Sequence, residues 1–350
     1  MEDTLIHTTL TDRYRVELPI VSAGMGFIAL PPLAAAVSNA GGLGQLACGA
    51  GPAEALRALI AATRALTGRP FGVNFIIETT AFGPLTTEAH VDVCVEERVP
   101  FVVFFWAPPP VEWVRRLKTG GCDVWLQTSS LTTAREAIAS GVDVIIAQGS
   151  EAGGHNRSTT GLITLLPRMV DALHPTPVIA AGGIADGRGL AAALCLGAAG
   201  VCVGTRLVAT LEANAHDEYK RRIVEATETD IARTAIFGPE WPDAPMRVIR
   251  NRVVREWAGN DTRTPPQPDP PRSIGKTLLG GQEYPMPKFS AILPTPETSG
   301  DFEEMCLAAG ESAALTMAIT SAREAVQEIA SEAERVLARP RPSAASNSAP

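Results

Sequence analysis

Short apolar runs alternate with segments of helical period from the N-terminal region to about Thr205. Each run is bounded by Gly, Pro, Asn or Gln, and most of its positions are apolar. This pattern is typical of a parallel sheet whose strands are buried on both faces and connected by helices. The runs predict eight strands: Leu18–Ser22, Leu43–Ala47, Phe71–Asn74, Phe101–Phe105, Asp123–Leu126, Asp143–Ala147, Val178–Ala181 and Gly200–Val203.

Alanine-rich segments between these runs predict an outer layer of helices. Examples are Pro52–Leu66 and Leu131–Ser140, the second with Ser130 before it and Gly141 after it as start and stop signals. A doubly wound open sheet would show the same alternation. The count of eight strands, and the lack of a G-x-G-x-x-G turn after an early strand, favour a (β/α)₈ TIM barrel.

The regular alternation fades after Thr205, which indicates a different organisation for the rest of the chain. Residues from about 260 to 300 are dense in Pro, Gly and Thr, and helical periodicity returns from Gly310 to Leu337. We therefore expect a barrel core over residues 1–210 with all eight strands, and an irregular insertion or lid over 211–309. A helix that closes the barrel should follow over 310–337, with a disordered tail over 338–350.

Composition and charge narrow the class of protein. The 350 residues are 45% hydrophobic and 19% charged, which predicts a globular chain with one large core. A net charge of −8 gives no basic surface for nucleic acid or an anionic membrane. The N-terminus lacks a secretory pattern, so we expect a cytoplasmic protein. Six cysteines without C-x-x-C spacing predict reduced thiols, and neither a disulfide framework nor a metal site.

Two glycine-containing turns follow the seventh and eighth predicted strands: Ala181-Gly-Gly-Ile184 and Val203-Gly-Thr205. Barrels commonly bind phosphate after these two strands. Glycine lets the backbone approach a phosphate closely, and backbone N–H groups then donate without help from Lys or Arg. The alternative is that Gly182 and Gly183 only permit a tight turn.

A third turn, Gln148-Gly-Ser-Glu-Ala-Gly-Gly-His155, places a histidine after the sixth predicted strand. An imidazole with an ordinary pKa near 6.5 exchanges protons readily around neutral pH. His155 is therefore a candidate catalytic residue. The alternative is a solvated loop histidine, with Glu151 bracing the loop.

An apolar turn, Phe104–Pro110, follows the fourth predicted strand. It either lines a pocket for a small apolar compound or an acyl chain, or packs in the core. If the strand's alternation continues through the turn, Phe105 faces the opposite way from Phe104 and Trp106.

The histidine turn and the Ala181–Ile184 turn resemble hallmark segments of the nitronate monooxygenase family, formerly called 2-nitropropane dioxygenases. The resemblance covers about residues 15–210, including Ala34–Gly44 and Gly72-Val-Asn74. Members are FMN-dependent (β/α)₈ barrels, so the resemblance implies FMN as the cofactor. It implies these cofactor-binding residues: Ala23, Gly24, Met25, Asn74, Gln127, Gln148, Gly153, Gly154, Gly182, Gly183, Gly204 and Thr205.

The resemblance also implies roles for these residues. The loop from Ala23 to Met25 would wrap the flavin, Asn74 and Gln127 would hydrogen-bond the isoalloxazine edge, and Gln148 and Gly153 would support the ribityl chain and ring. Gly182, Gly183, Gly204 and Thr205 would hold the phosphate. His155 would face the flavin across the substrate, as a base or as a group that orients it. Two departures are Gly24, where many relatives have Pro, and Cys202, where relatives often have Gln; Gly24 predicts a more mobile flavin loop.

The implied reaction is the oxidation of an alkyl nitronate by molecular oxygen to a carbonyl compound and nitrite. An FMN-dependent, NAD(P)H-using enoyl-acyl carrier protein reductase or quinone reductase stays open as an alternative. A non-redox phosphosugar-binding barrel and a flavin-binding module without turnover are further alternatives. In each enzymatic case the partner is a small molecule, apolar in character if Phe104–Pro110 lines the pocket; the oligomeric state is left open.

Overall fold

A computed structural model describes residues 6–48, 51–81 and 83–338. Its central sheet has eight parallel strands: β1 Ile20–Ser22, β2 Gly44–Ala47, β3 Phe71–Ile76, β4 Phe101–Phe105, β5 Asp123–Thr128, β6 Val144–Gln148, β7 Val178–Ala181 and β8 Gly200–Val203. They are hydrogen-bonded in the order β1-β8-β7-β6-β5-β4-β3-β2. Hydrogen bonds from Ser22 N to Leu43 O and from Leu43 N to Ile20 O, both 2.9 Å, join β1 to the start of β2 and close the barrel. The predicted TIM barrel is confirmed.

Helices follow the barrel strands and form the outer ring. Ser130 caps its helix as its position predicts, because its side chain accepts a hydrogen bond from Thr133 N at 3.2 Å. The helices are α1 Thr9–Tyr14, α2 Pro31–Asn39, α3 Ala53–Leu66, α4 Glu88–Glu96, α5 Val111–Thr119, α6 Leu131–Ala139, α7 Leu162–Leu173, α8 Gly187–Cys195, α9 Thr205–Val208, α10 Asp217–Glu225, α11 Arg252–Glu256 and α12 Ala322–Leu337.

The N-terminal end of the barrel is plugged by α1. Leu10 and Tyr14 of this helix pack against interior side chains that include Phe101 and Trp125. The Tyr14 hydroxyl donates to Asp123 Oδ2 at 2.5 Å and accepts from Trp125 Nε1 at 2.9 Å. This end is closed by packed side chains, and the loops at the C-terminal end of the strands carry the site.

Gly44 lets β2 pack directly on α2, because a Cβ at this position would overlap the Ala34 carbonyl group. We expect Gly44→Ala to lower the free energy of unfolding by about 1–3 kcal/mol, the usual cost of overpacking a dense interior. Urea denaturation of the full chain measures this loss. Gly68→Ala is the matched control, since a Cβ at Gly68 meets open space; equal midpoints for the two variants would contradict the prediction.

The segment 211–309 contains regular sheet where irregular structure was expected. One three-stranded antiparallel sheet joins Ile231–Thr234, Met246–Ile249 and the two-residue strand Gly154–His155. A second joins Ser273–Leu279, Gln282–Pro287 and Ser299–Gly300. Gly280 and Gly281, both with positive φ, form the hairpin turn of this second sheet. A Gly-Gly pair between two predicted strands is the sequence signal for such a hairpin turn. A further small ladder pairs Thr79–Thr80 with Gly83–Pro84.

The closing helix is shorter than the predicted 310–337 span. Glu311–Leu315 is a separate 3₁₀ helix, and α12 begins only at Ala322, after a capping box formed by Ser321 and Glu324. The two are separated because Thr320 pairs with Thr210 in a parallel β-bridge, which needs extended backbone. α12 then packs against α8. Most of the predicted tail, residues 339–350, lies outside the described residues.

Within the described residues, no helix is long and apolar enough to cross a membrane.

Candidate active site

The loops at the C-terminal end of the barrel surround a cavity of about 270 Å³. Parallel strands all end at this edge, so turns distant in sequence meet there. The structure brings every residue singled out from the sequence to the wall of this one cavity: Ala23, Gly24, Met25, Asn74, Gln127, Gln148, Gly153, Gly154, His155, Gly182, Gly183, Gly204 and Thr205.

The turns after β7 and β8 leave backbone donors free. Gly182 and Gly183 have φ values of 113° and 70°, in the left-handed region that favours glycine. The Gly182 N–H continues the pairing of β7 with β8, whereas the N–H groups of Gly183 and Gly204 donate to no acceptor within residues 6–48, 51–81 and 83–338. Thr205 begins the short helix α9, and its hydroxyl accepts from Gly310 N at 2.9 Å. Unpaired N–H groups at adjacent turns fit an anionic phosphate.

The loop after β1 lies against the side chain of Asn74. A Cβ at position 24 would overlap the Asn74 side chain, so glycine here permits close contact between the two chain segments. This contact supplies a packing reason for the departure at Gly24. Cys202, the second departure, is buried and lines the cavity.

Three amide side chains line the cavity, and they differ in whether they hydrogen-bond to other protein groups. Asn74 Nδ2 lies 3.5 Å from Val103 O, and Gln148 Nε2 donates to His155 O at 3.3 Å. The side chain of Gln127 has no hydrogen-bond partner in the part of the chain that the structure describes. Its carbonyl and NH₂ groups are therefore available to a ligand.

The histidine turn is held on both sides. Glu151 Oε1 accepts from Leu162 N at 2.7 Å at the start of α7, so Glu151 does brace the loop. Glu151 O accepts from Glu311 N at 3.0 Å, which ties the turn to the 3₁₀ helix. His155 itself pairs with Met246 in the first antiparallel sheet. The loop therefore has the fixed backbone that a catalytic side chain needs.

The His155 imidazole lies between aromatic rings. Trp241 stacks on it with ring centroids 4.1 Å apart and an interplanar angle of 26°, and Trp106 approaches edge-on at 5.9 Å. Nε2 is buried, and no described residue hydrogen-bonds to it. Burial lowers the pKa of His155 to about 4, because an apolar surrounding disfavours the charged form. The imidazole is therefore neutral at neutral pH.

The cavity wall contains residues that sequence reasoning did not assign to the site. Phe105 faces the cavity while Phe104 packs outward near Trp113, as the alternation predicts. Trp106, however, adopts a positive φ of 81°, and its ring turns toward His155. Glu240 and Trp241 come from the segment 211–309, where the Gly-Pro-Glu-Trp-Pro turn was the available signal.

The cavity is poor in positive charge. Neither Lys nor Arg occurs among the described residues that line it, whereas the Glu240 carboxylate does. Glu240 is buried, with Ser290 Oγ donating to Oε1 at 2.6 Å and Ala291 N donating to Oε2 at 3.1 Å. A bound phosphate would therefore rely on the backbone donors of the two glycine turns.

Comparison with known proteins identifies relatives along most of the chain. The family model described as "Nitronate monooxygenase" matches residues 7–332. A curated relative from Mycobacterium tuberculosis (strain ATCC 25618 / H37Rv) is named (3aS,4S,5R,7aS)-5-hydroxy-7a-methyl-1-oxo-octahydro-1H-indene-4-carboxyl-CoA dehydrogenase. It is 39% identical over 254 residues, which cover 72% of this chain and 68% of the relative. A probable nitronate monooxygenase from Staphylococcus aureus (strain Newman) is 33% identical, with 74% of this chain and 82% of the relative covered.

Solved structures give the same result. FabK from Thermotoga maritima, in a mutant form, superposes with a TM-score of 0.78 at 34% identity and covers 95% of this chain and 98% of its own. Nitroalkane oxidase from Streptomyces ansochromogenes superposes with a TM-score of 0.74 at 30% identity. The match covers 94% of this chain and 99% of the oxidase chain. The chain is thus a flavin-dependent oxidoreductase that acts on a small molecule. By its motifs, its barrel and these matches, it belongs to the nitronate monooxygenase family.

Proposed function

We propose that this protein oxidises alkyl nitronates with molecular oxygen, giving a carbonyl compound and nitrite, with FMN as the cofactor. The observation that carries the proposal is the neutral His155, whose unpartnered Nε2 is buried beside the same cavity as the two glycine turns with free N–H groups. The cavity thus combines a proton-exchanging group with a place for a phosphate-bearing cofactor.

The residues present fit FMN. The free N–H groups of Gly183 and Gly204 would hold its phosphate, with Gly182 shaping the turn and the hydroxyl of Thr205 beside it. The amides of Asn74, Gln127 and Gln148 would hydrogen-bond the polar edge of the ring and the ribityl chain, with Ala23–Met25, Gly153 and Gly154 along its surface. FMN, when bound, supplies the electron-accepting chemistry that amino-acid side chains lack.

His155 serves the reaction in one of two ways, both of which use the neutral imidazole. A neutral imidazole accepts a proton from an acidic C–H next to a nitro group, or donates an N–H hydrogen bond to the anion that results. Trp106 and Trp241 lie against the imidazole, and Phe105 lines the same cavity. Substrate orientation and proton exchange at Nε2 are therefore the protein's own contribution.

A second candidate is redox chemistry on an acyl thioester next to its carbonyl group. The charge of the cavity favours it, since Glu240 lines the cavity and neither Lys nor Arg does so among the described residues, which disfavours a nitronate anion. A neutral acyl chain does not carry this electrostatic cost. The name of the carboxyl-CoA dehydrogenase relative supports the same candidate. A nicotinamide would then be the natural redox partner of a reductase.

An anaerobic absorbance titration of the purified protein separates the candidates. We expect propyl nitronate alone to reduce the flavin, which is seen as a loss of its visible absorbance. Admission of air should restore the absorbance and release nitrite. Reduction by NADH or NADPH, with no response to the nitronate, would replace the first candidate by the second. No flavin band, even after addition of FMN, would contradict both.

A further inference from the structure

Trp241 reaches the active site from the segment 211–309, outside the eight barrel strands. Its indole covers one face of the His155 ring at a centroid distance of 4.1 Å. The imidazole makes no side-chain hydrogen bond or ion pair with any residue that the structure describes. Ring contacts, and the backbone pairing of His155 with Met246, are therefore what fixes this side chain.

The loop that carries Trp241 is tied down at several points. Gly238 N donates to Phe289 O at 2.7 Å, and Trp241 N donates to Gly238 O at 2.9 Å. Glu240 O accepts from Ala81 N at 2.8 Å, while its carboxylate accepts from Ser290 Oγ. A loop fixed on both sides holds the indole in one position over the imidazole.

Trp106 provides a second fixed ring. Its Nε1 donates to Glu78 Oε2 at 2.8 Å, and the Arg157 guanidinium carbon lies 3.7 Å above the ring centroid. Trp106 and Trp241 meet at 4.5 Å with an interplanar angle of 73°. A positive φ in a bulky residue is uncommon and occurs preferentially at functional sites, where surrounding contacts maintain it.

We propose that Trp241, supported by Trp106, is a positioning residue that covers one face of the His155 imidazole and holds its orientation at the cavity wall. The segment 211–309 then completes the active site as well as covering it. The charged groups around His155 and the two indoles are Glu78 and Arg157 beyond Trp106, Glu240 beside Trp241, Glu151 in the histidine turn, and Arg247 and Arg233, which bond the backbone of that turn at Ser150 and Asn156. None of the six bonds the imidazole, so removal of the indole acts through exposure of His155 to water. Its catalytic consequence rests on the proposed function, but the effect on the imidazole does not.

The test is an NMR titration of histidine-labelled full-length protein, as purified, which follows the ring signals of His155 as pH is lowered. A His155→Gln sample identifies the signal. We expect Trp241→Leu to raise the pKa of His155 by at least about one unit, a tenfold gain in proton affinity, because water reaches the ring. Trp241→Phe keeps an aromatic face and should leave the titration within a few tenths of a unit of the original.

Trp257→Leu is the matched control, because Trp257 lies in the same segment and packs on Phe289 rather than on His155. The pKa of His155 in this variant should equal that of the unaltered protein. If Trp241→Leu does not fold, Trp106→Leu tests the same contact from the barrel side and should raise the pKa by a smaller amount. A His155 titration that is unchanged in the folded Trp241→Leu variant, or in its Trp106→Leu replacement, would overturn the inference. Normal turnover by His155→Ala would instead contradict the proposed role of His155, with the titration result unaffected.

Discussion

Replacement of His155 by alanine is expected to lower kcat by about 10²–10⁴-fold, the range that a positioned proton-exchanging group contributes. His155 Nε2 is buried and no described residue hydrogen-bonds to it, so it is available to a substrate. The flavin should stay bound, because the free N–H groups of Gly183 and Gly204 and the Gly182 turn are untouched. Steady-state kinetics and the visible spectrum of the same sample measure the two properties together.

His7→Ala is the control for this substitution. His7 is exposed and lies beside α1, at the opposite end of the barrel from the cavity. Its kinetics should match those of the unaltered protein. A kcat that is unchanged in His155→Ala would remove His155 from the mechanism, whereas loss of the flavin band would assign it to cofactor binding.

Gly182→Val is expected to weaken FMN binding by roughly 100-fold. A β-branched residue is strained at a φ of 113°, and a Cβ there would lie 3.0 Å from Ala152 N. The turn must therefore shift, and its N–H groups lose their alignment with the phosphate. Hydrogen bonds to charged groups contribute about 1.5–3 kcal/mol each, and tenfold in affinity is about 1.4 kcal/mol. Titration of flavin-free protein with FMN, followed by fluorescence, gives the dissociation constants.

Gly121→Val separates this effect from backbone strain in general. Gly121 also has a positive φ, 82°, but a Cβ there meets open space, and it follows α5 at the far end of the barrel. Both variants should lose stability through strain, and Gly182→Val alone should lose affinity for FMN. Equal FMN affinity in the two variants would show that the Gly182 turn does not bind the phosphate.

The segment 211–309 contributes residues to the active site from outside the loops that directly follow the barrel strands. Barrels commonly build their sites from the loops that directly follow the strands. Here the strand Met246–Ile249 pairs with Gly154–His155, and Trp241 stacks on the same histidine. The active site is thus assembled from the barrel and from a segment that follows it in sequence.

Much of the barrel was determined by the sequence itself. Runs such as Val178–Ala181 are apolar at every position and are bounded by Pro and Gly, so burial on both faces and strand length fix their structure locally. The Gly182-Gly183 turn follows from the same local rules, since two adjacent glycines after a buried strand permit positive φ. The alternation of β4 likewise predicted the direction of Phe105.

The tertiary structure decided what surrounds His155. Trp241 and His155 are far apart in the chain, and their stacking depends on how the antiparallel sheet of segment 211–309 pairs with the histidine turn. Trp106 departs from the strand alternation because contacts with Glu78 and Arg157 maintain a positive φ that no local preference favours. The lowered pKa of His155 has the same origin, because it comes from burial beneath rings contributed by distant segments. Local patterns therefore specified the strands and glycine turns, and only long-range packing specified the protonation state of the candidate catalytic residue.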